Sequence, residues 1–515
     1  MKLSEKRQNR VLFYTVVIGL IAHGFRLTNR VFCNDSFNYL TTISRSWTTA
    51  MGRFLLYLAE EIRGGRELTW LIGIFSIGCI ALAAVLITEL FDLKEELSLI
   101  LVSAVMVANP TVAGTFGYMY TADGYFFGML LSVLAAYLVI KKKGIFGIIS
   151  GSLCLVVSLA LYQAYLSLTM MLLLIMMMLR LLKEEMTAKE QAREVGRYAL
   201  MGVISVIVYL ILLKIARARG GYDVADYMGQ QGIGTFSLSA IFSAVVNSYI
   251  EFARYLLVRW EWTFYSISNL LIIAVVILQL LRITVRRSLW KKPLRLILVL
   301  LYGLLFPIVT HIFLFLSEEV NYITPPMSYS MCAVFLMPLI LHRECAEDDG
   351  ENAAGSRGTI RGYALYLLLA LSCVNFIIFA NRVYESMYHA NGQVEKLLLR
   401  IEERMEAAEG YSEDAQVMIL GNRYQKPTYP ENGPVMFSAV SGLFLSFEGE
   451  YVRALNWYLS TDYTTIPGEE KSRIVRTEEF SQMEEWPSAN CVKTIDGVIV
   501  VYLSDNDLDE YLEEE

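Results

Sequence analysis

Between Val11 and Ala380 the chain repeatedly runs for about 20 residues with almost no charge, and this pattern limits its fold more than any motif does. A segment in hydrocarbon must satisfy every backbone N–H and C=O internally, and a helix of about that length does so. On this rule spans are predicted near 11–27, 69–90, 97–113, 124–140, 145–161, 164–182, 198–216, 262–281, 296–316, 327–341 and 363–380, about eleven in all. The chain is 55% hydrophobic, above the roughly 45–50% usual in soluble domains. The first run lacks a small-residue cleavage site and is read as an uncleaved span. The fold class expected is therefore an α-helical polytopic membrane protein.

Charge gives this chain a direction. With the N-terminus inside, lysine and arginine gather in the cytoplasmic segments: Lys2, Lys6, Arg7 and Arg10; Lys141 to Lys143; Arg180 to Arg197; Arg282 to Arg295; Arg343 to Arg361. An odd number of spans then leaves the C-terminal part outside. From Asn391 to Glu515 there are 25 acids and 10 bases, a net −15, which leaves +8 for the rest of a chain whose total is −7. Residues 1–380 are read as the membrane domain and 381–515 as an acidic, extracytoplasmic α/β domain. In the latter Val394 to Ala408 is a charged helix, and the apolar runs Gln416–Leu420 and Val498–Leu503 have strand length, the second preceded by Asp496-Gly497. Nothing in this balance suggests nucleic-acid binding.

One stretch defies the charge rule. Arg26 to Arg66 lies outside on this topology, yet it holds Arg26, Arg30, Arg45, Arg53, Arg63 and Arg66 and no lysine. Its only early acid is Asp35. Trp47, Met51, Phe54, Leu55, Leu58 and Ile62 recur at helical spacing, so 47–62 is predicted to be one amphipathic helix lying in the membrane interface. Other outer segments are Asn109 to Asp123, which is short and aromatic; the tight join Leu161 to Tyr165; Ala218 to Glu261, with Asp223, Asp226 and an amphipathic helix over about 236–260; and Ser317 to Pro326, with Glu318, Glu319 and Asn321. The inner loop Arg343 to Arg361 reads as polar and irregular.

Several side chains on these segments could carry chemistry. Asp35, at the outer end of the first span, could serve as general base toward a hydroxyl nucleophile; the plain alternative is a helix cap or loop acid. Asp123 offers a second outward carboxylate, able to bind sugar hydroxyls or merely to cap a helix. Arg30, Arg45 and Arg53 suit a lipid phosphate, because a guanidinium fork engages two oxygens at once, although snorkelling to headgroups would use the same residues. Tyr162 and Gln163 stand at a hairpin tip, where a glutamine at membrane depth needs partners: a sugar hydroxyl, or the hairpin itself. His23 and His311 read as packing residues. The seven cysteines show no CxxC pair and no metal-ligand spacing. No Walker A loop, GxSxG or strand-borne GxGxxG is present.

Taken together, Asn34-Asp35-Ser36, Gly52-Arg53-Phe54, Tyr118 to Asp123 and Leu161-Tyr162-Gln163-Ala164-Tyr165 resemble the GtrII-type glucosyltransferase family over roughly Val11 to Ala380. Position 34 is asparagine where some members carry an acid or histidine. The resemblance implies a GT-C-like architecture. It implies inverting transfer of a hexose, often glucose, from a polyprenyl-phosphate-linked donor to a cell-envelope glycan on the outer face of a bacterial cytoplasmic membrane. On it, Asp35 is the base or acceptor anchor, Asp123 the second carboxylate, Arg53 with Arg30 and Arg45 the phosphate contacts, and Tyr162 and Gln163 the sugar pocket. A divalent cation between the two carboxylates is compatible with this scheme and not required by it. The competing reading is a flippase, transporter or polymerase of lipid-linked glycans. A transporter would be expected to show inverted repeats or charges at mid-membrane depth, whereas the polar residues here cluster at one face.

Overall fold

The computed structural model describes residues 2–39, 44–183, 186–225, 237–257, 264–315, 323–349, 356–412, 414–422, 445 and 447–513. Among them eleven helices are long and apolar enough to cross a membrane, and each overlaps one of the predicted spans. Asp226, Glu318, Glu319 and Asn321 lie outside the described residues. The chain divides into two compact units: Met1–Thr28 with Thr41–Asn381, and Asn29–Leu40 with Arg382–Glu515.

The first unit is helical. It comprises α1 (Lys2–Thr28), α2 (Arg45–Ala50), α3 (Leu56–Ile62), α4 (Thr69–Leu90), α5 (Glu96–Ala108), α6 (Pro110–Gly117), α7 (Met119–Lys141), α8 (Gly144–Leu161), α9 (Leu166–Leu182), α10 (Ala188–Gly220), α11 (Leu238–Leu257), α12 (Phe264–Arg286), α13 (Pro293–Thr310), α14 (Cys332–Asp349) and the beginning of α15 (Ser356–Glu406). Helix α7 packs on α4, α8 and α9, and α1 packs on α4 and α5. Small residues let α7 come close to its neighbours: a Cβ at Gly124 would overlap Leu56 of α3, and one at Gly128 would press on Leu161 of α8.

Three local expectations change. The single helix over 47–62 is two short helices, because Gly52 sits at φ +83°, where a helix cannot continue. The segment Asn109 to Asp123 is not a loop. Asn109 caps α6 by accepting from the Thr111 N–H at 3.1 Å, Pro110 occupies the first turn, and α7 starts before Asp123. Most of Arg343 to Arg361 is helical as well, since α14 continues to Asp349 and α15 begins at Ser356.

The second unit is a small α/β assembly. Its sheet has the order β1 (Val417–Leu420), β3 (Val498–Tyr502), β2 (Val492–Ile495), with β1 parallel and β2 antiparallel to β3. Both faces are covered. Val417 and Ile419 join one core and Met418 and Leu420 the other, which is why these strands read as continuous apolar runs. The hairpin joining β2 and β3 turns at Asp496 (φ 52°) and Gly497 (φ 82°), both left-handed, as a two-residue hairpin turn requires. Helix α15 is unbroken from the last span through the charged stretch, and its residues from Arg382 onward belong to this unit.

The second unit also takes in residues far away in sequence. Phe32 and Phe37 lie in the same buried cluster as Val394, Leu398, Tyr451 and Leu455. The Asn391 amide accepts from the Phe32 N–H at 2.8 Å and donates to its carbonyl at 3.0 Å, as a neighbouring strand would.

Candidate functional site

The best-defined constellation of polar groups in the first unit is built around the turn from α2 to α3. Ser44 caps α2 through the Trp47 N–H at 3.3 Å. The helix then closes with the Gly52 N–H donating to the Thr49 carbonyl at 3.0 Å and the Arg53 N–H to the Thr48 carbonyl at 2.7 Å, the paired bonds of a glycine-terminated helix end. Such an end leaves carbonyls that need donors. Three side chains from elsewhere supply them. Arg217, near the end of α10, donates to the carbonyls of Thr49 and Ala50. Gln163 donates to Met51 at 2.8 Å, and the Tyr209 hydroxyl to Gly52 at 3.0 Å. Gln163 also donates to the Tyr209 oxygen at 3.0 Å, so the two partners brace each other. Any side chain at position 52 would land on the Gln163 amide nitrogen and the Tyr209 hydroxyl. Glycine is thus required twice, by dihedral angle and by space.

The next residue is Arg53. Its guanidinium donates to the Tyr125 hydroxyl at 2.7 Å and lies over the Tyr162 ring, 4.9 Å from the centroid. Tyr125 and Tyr162 are themselves stacked, at 4.3 Å between centroids and 20° between planes. Tyr162 meets Tyr165 edge-on at 5.3 Å, and Tyr165 meets Tyr329 edge-on at 6.3 Å. Phe54 stacks on Tyr209 at 6.0 Å. The Gly-Arg-Phe triplet therefore has a division of labour: glycine admits the clamp, arginine is presented on a tyrosine face, and phenylalanine packs against the clamp's own tyrosine.

The remaining predicted residues fall in different places. Asp123 is buried in α7 and forms an ion pair with Arg63, with Nε to Oδ2 at 2.7 Å and the side chains 5% and 9% exposed. Its other oxygen accepts the Gly124 N–H at 2.9 Å. Arg63 also donates to the Tyr120 carbonyl at 2.8 Å. A second buried pair, Arg26 and Glu67 at 3.6 Å, joins the end of α1 to the segment just before α4. Arg45 is exposed and lies over Tyr57 at 4.5 Å. Asp35 and Arg30 belong to the second unit. There Asp35 stands in the first turn of a 3-10 helix, Asn34–Tyr39, that packs on the helix Glu448–Leu459. The Arg30 guanidinium covers the Trp457 ring at 4.2 Å.

So the fold brings together Arg53, Tyr162 and Gln163, and pairs Asp123 with an arginine that sequence reasoning left out of the site. Tyr125, Tyr209 and Arg217 were also missed. Tyr209 lies near the end of the uncharged part of α10, Tyr198 to Leu213, and Arg217 lies among the charges that follow it, so no spacing singled either out. His23 and His311 are buried and hydrogen-bonded to backbone, with ring nitrogens 2.7 Å from the Val107 carbonyl and 3.2 Å from the Pro307 carbonyl. Among the described residues no group of three or more His, Cys, Asp or Glu side chains is placed to hold a metal ion.

No curated protein and no solved structure matches the chain. The family model described as glucosyl transferase GtrII matches residues 24–339, which include α2, α3, the Gly52 turn and every tyrosine of the ladder. With more than half its length covered by that match and eleven helices able to cross a membrane, the chain belongs to the GtrII glucosyl transferase family of membrane glycosyltransferases.

Proposed function

We propose that this protein moves a hexose, most simply glucose, from a polyprenyl-phosphate donor to a cell-envelope glycan at the outer face of a bacterial cytoplasmic membrane, with inversion at the anomeric carbon. The N-terminus is inside, and residues 381–515 form an extracytoplasmic domain. The acceptor hydroxyl attacks the anomeric carbon as the bond from that carbon to the phosphate oxygen breaks. The acceptor proton passes to a carboxylate, assigned to Asp35, and the lipid phosphate leaves with the bonding electrons. Positive charge beside the departing phosphate favours the transition state over the bound donor. Arg53 takes that role, with Arg30 and Arg45 as further contacts to lipid phosphate. Tyr162 and Gln163 are assigned to the lining of the sugar pocket. Asp123 is assigned as the second carboxylate, a contact to sugar hydroxyls, with Arg63 as its ion-pair partner.

One observation carries this reading within a family of glucosyl transferases. An arginine is fixed by a clamped backbone turn onto a stacked tyrosine pair, in a stretch of sequence whose charge opposes the topology rule. The test uses membrane vesicles holding the full chain, a labelled polyprenyl-phosphate hexose and an envelope-glycan acceptor. Label should enter the glycan covalently with wild type and fall by about a hundredfold or more with Asp35→Asn at equal protein level, the usual scale for a lost general base. Passage of intact lipid-linked sugar across the bilayer without covalent transfer would instead identify a transporter.

A further inference from the structure

We infer that Tyr209, Arg217 and Gln163 are positioning residues for Arg53: they set where its guanidinium meets the donor phosphate by holding the carbonyls of Thr49, Ala50, Met51 and Gly52. The inference rests on the reading of Arg53 as a phosphate contact and adds to it a mechanism of presentation. Four consecutive carbonyls at the end of α2 each receive a side-chain donor, from α10 or from the join between α8 and α9. An ordinary exposed helix end of this kind would leave the carbonyls of Ala50, Met51 and Gly52 to water. The clamp also has its own internal bond, from Gln163 to the Tyr209 oxygen at 3.0 Å. Gln163 thereby spends its amide N–H groups on Met51 and Tyr209, so any bond to a sugar hydroxyl falls to its carbonyl oxygen. Tyr209 is 6% exposed, so its hydroxyl is enclosed.

Position matters here because stabilisation of a leaving phosphate is steep in distance and angle. A displacement of about 1 Å from a change away from the chemistry can lower rate by about a hundredfold. Arg53 follows Gly52 directly, so any slack in the Gly52 carbonyl is passed to its Cα. The tyrosine that holds Gly52 also stacks on Phe54, which fixes the chain on both sides of Arg53. Rigid support of this kind distinguishes a presented arginine from one that merely snorkels.

The experiment is a double-mutant cycle on the full-length protein in vesicles, with rates referred to folded protein by thermal unfolding. Tyr209→Phe removes the hydroxyl and keeps the ring on Phe54. Arg217→Lys keeps the charge and loses the fork; it serves if the first variant folds poorly. Each is expected to lower kcat/KM for the polyprenyl-phosphate donor about tenfold with Arg53 present, and less than about twofold in an Arg53→Ala background, because removing the positioned group removes the effect of positioning. Equal losses in both backgrounds would overturn the inference and leave the clamp as plain packing. If Arg53→Ala alone leaves transfer unchanged, the assignment of Arg53 fails first, a result that the cycle separates from failure of the clamp.

Discussion

At the end of α3, Arg63 meets the Asp123 carboxylate at 2.7 Å with both side chains nearly enclosed; ten residues earlier, Arg53 lies on a tyrosine ring and donates to a phenol at the same distance. The two arginines share a short stretch of chain and differ in these contacts. A carboxylate answers the charge of a guanidinium in place, and burial then makes each partner depend on the other. A ring engages the flat face, while recognition of phosphate uses the forked edge. The first arrangement suits a clasp between α3 and α7. The second holds the flat face of Arg53 on the stacked tyrosine pair.

The clasp should break hardest. Asp123→Asn leaves a buried cation opposite a neutral amide and should cost about 3–5 kcal/mol of stability, read as a lowered unfolding temperature in detergent. Replacing both partners, Arg63→Met with Asp123→Leu, should recover most of that loss, whereas a directly catalytic Asp123 would leave the recovered protein inactive. Gly52→Ala comes next. The left-handed dihedral alone costs about 1–3 kcal/mol, and the new methyl also displaces Gln163 and Tyr209. Donor turnover should fall further than stability explains. Arg45→Ala should be mild for stability, about 0.5–1 kcal/mol at most, since the contact with Tyr57 is exposed, while donor affinity should fall; unchanged affinity would remove Arg45 from the proposed contacts to lipid phosphate.

The smallest effect concerns a different kind of ion pair. Asp92, between α4 and α5, contacts Arg7, Lys94 and Arg343. Its partial burial pushes the carboxyl up, but the hydrogen bond from Lys94 and the charge of Arg343 outweigh it and hold the group below its ordinary value of 3.8. The stabilisation is therefore present above that value and is lost as pH falls through the depressed one. Because the side chain is 39% exposed, Asp92→Asn should cost under about 1 kcal/mol at neutral pH. The difference should vanish at strongly acid pH in unfolding measurements.

The spans were legible because hydrocarbon demands long apolar helices and tolerates little else. The break at Gly52 was not. Met51, Phe54 and Leu55 keep helical spacing across it, since the turn buries its own apolar residues, and a lone glycine does not by itself end a helix. Strand β2 (VKTI) was also missed: it is short and half polar, and only its pairing with β3 through Asp496-Gly497 makes it a strand. Nor could local pattern place Asp35. The partners of Phe32 and Phe37 lie more than 350 residues away in the chain, and the segment's allegiance to the second unit is set by that packing. The tyrosine ladder shows the same limit. Tyr125, Tyr162, Tyr165 and Tyr329 come from three separate parts of the sequence, and no spacing announces that they touch.

Arg53, as presented by the Gly52 turn, is proposed as the contact to the donor phosphate. This assignment is tested most directly by the rate of hexose transfer from the polyprenyl-phosphate donor for wild type, Arg53→Ala and Arg53→Lys at equal amounts of folded protein. Alanine should lose about a hundredfold or more, with lysine recovering only a small part because a point charge lacks the fork. Wild-type transfer by the alanine variant would contradict the assignment.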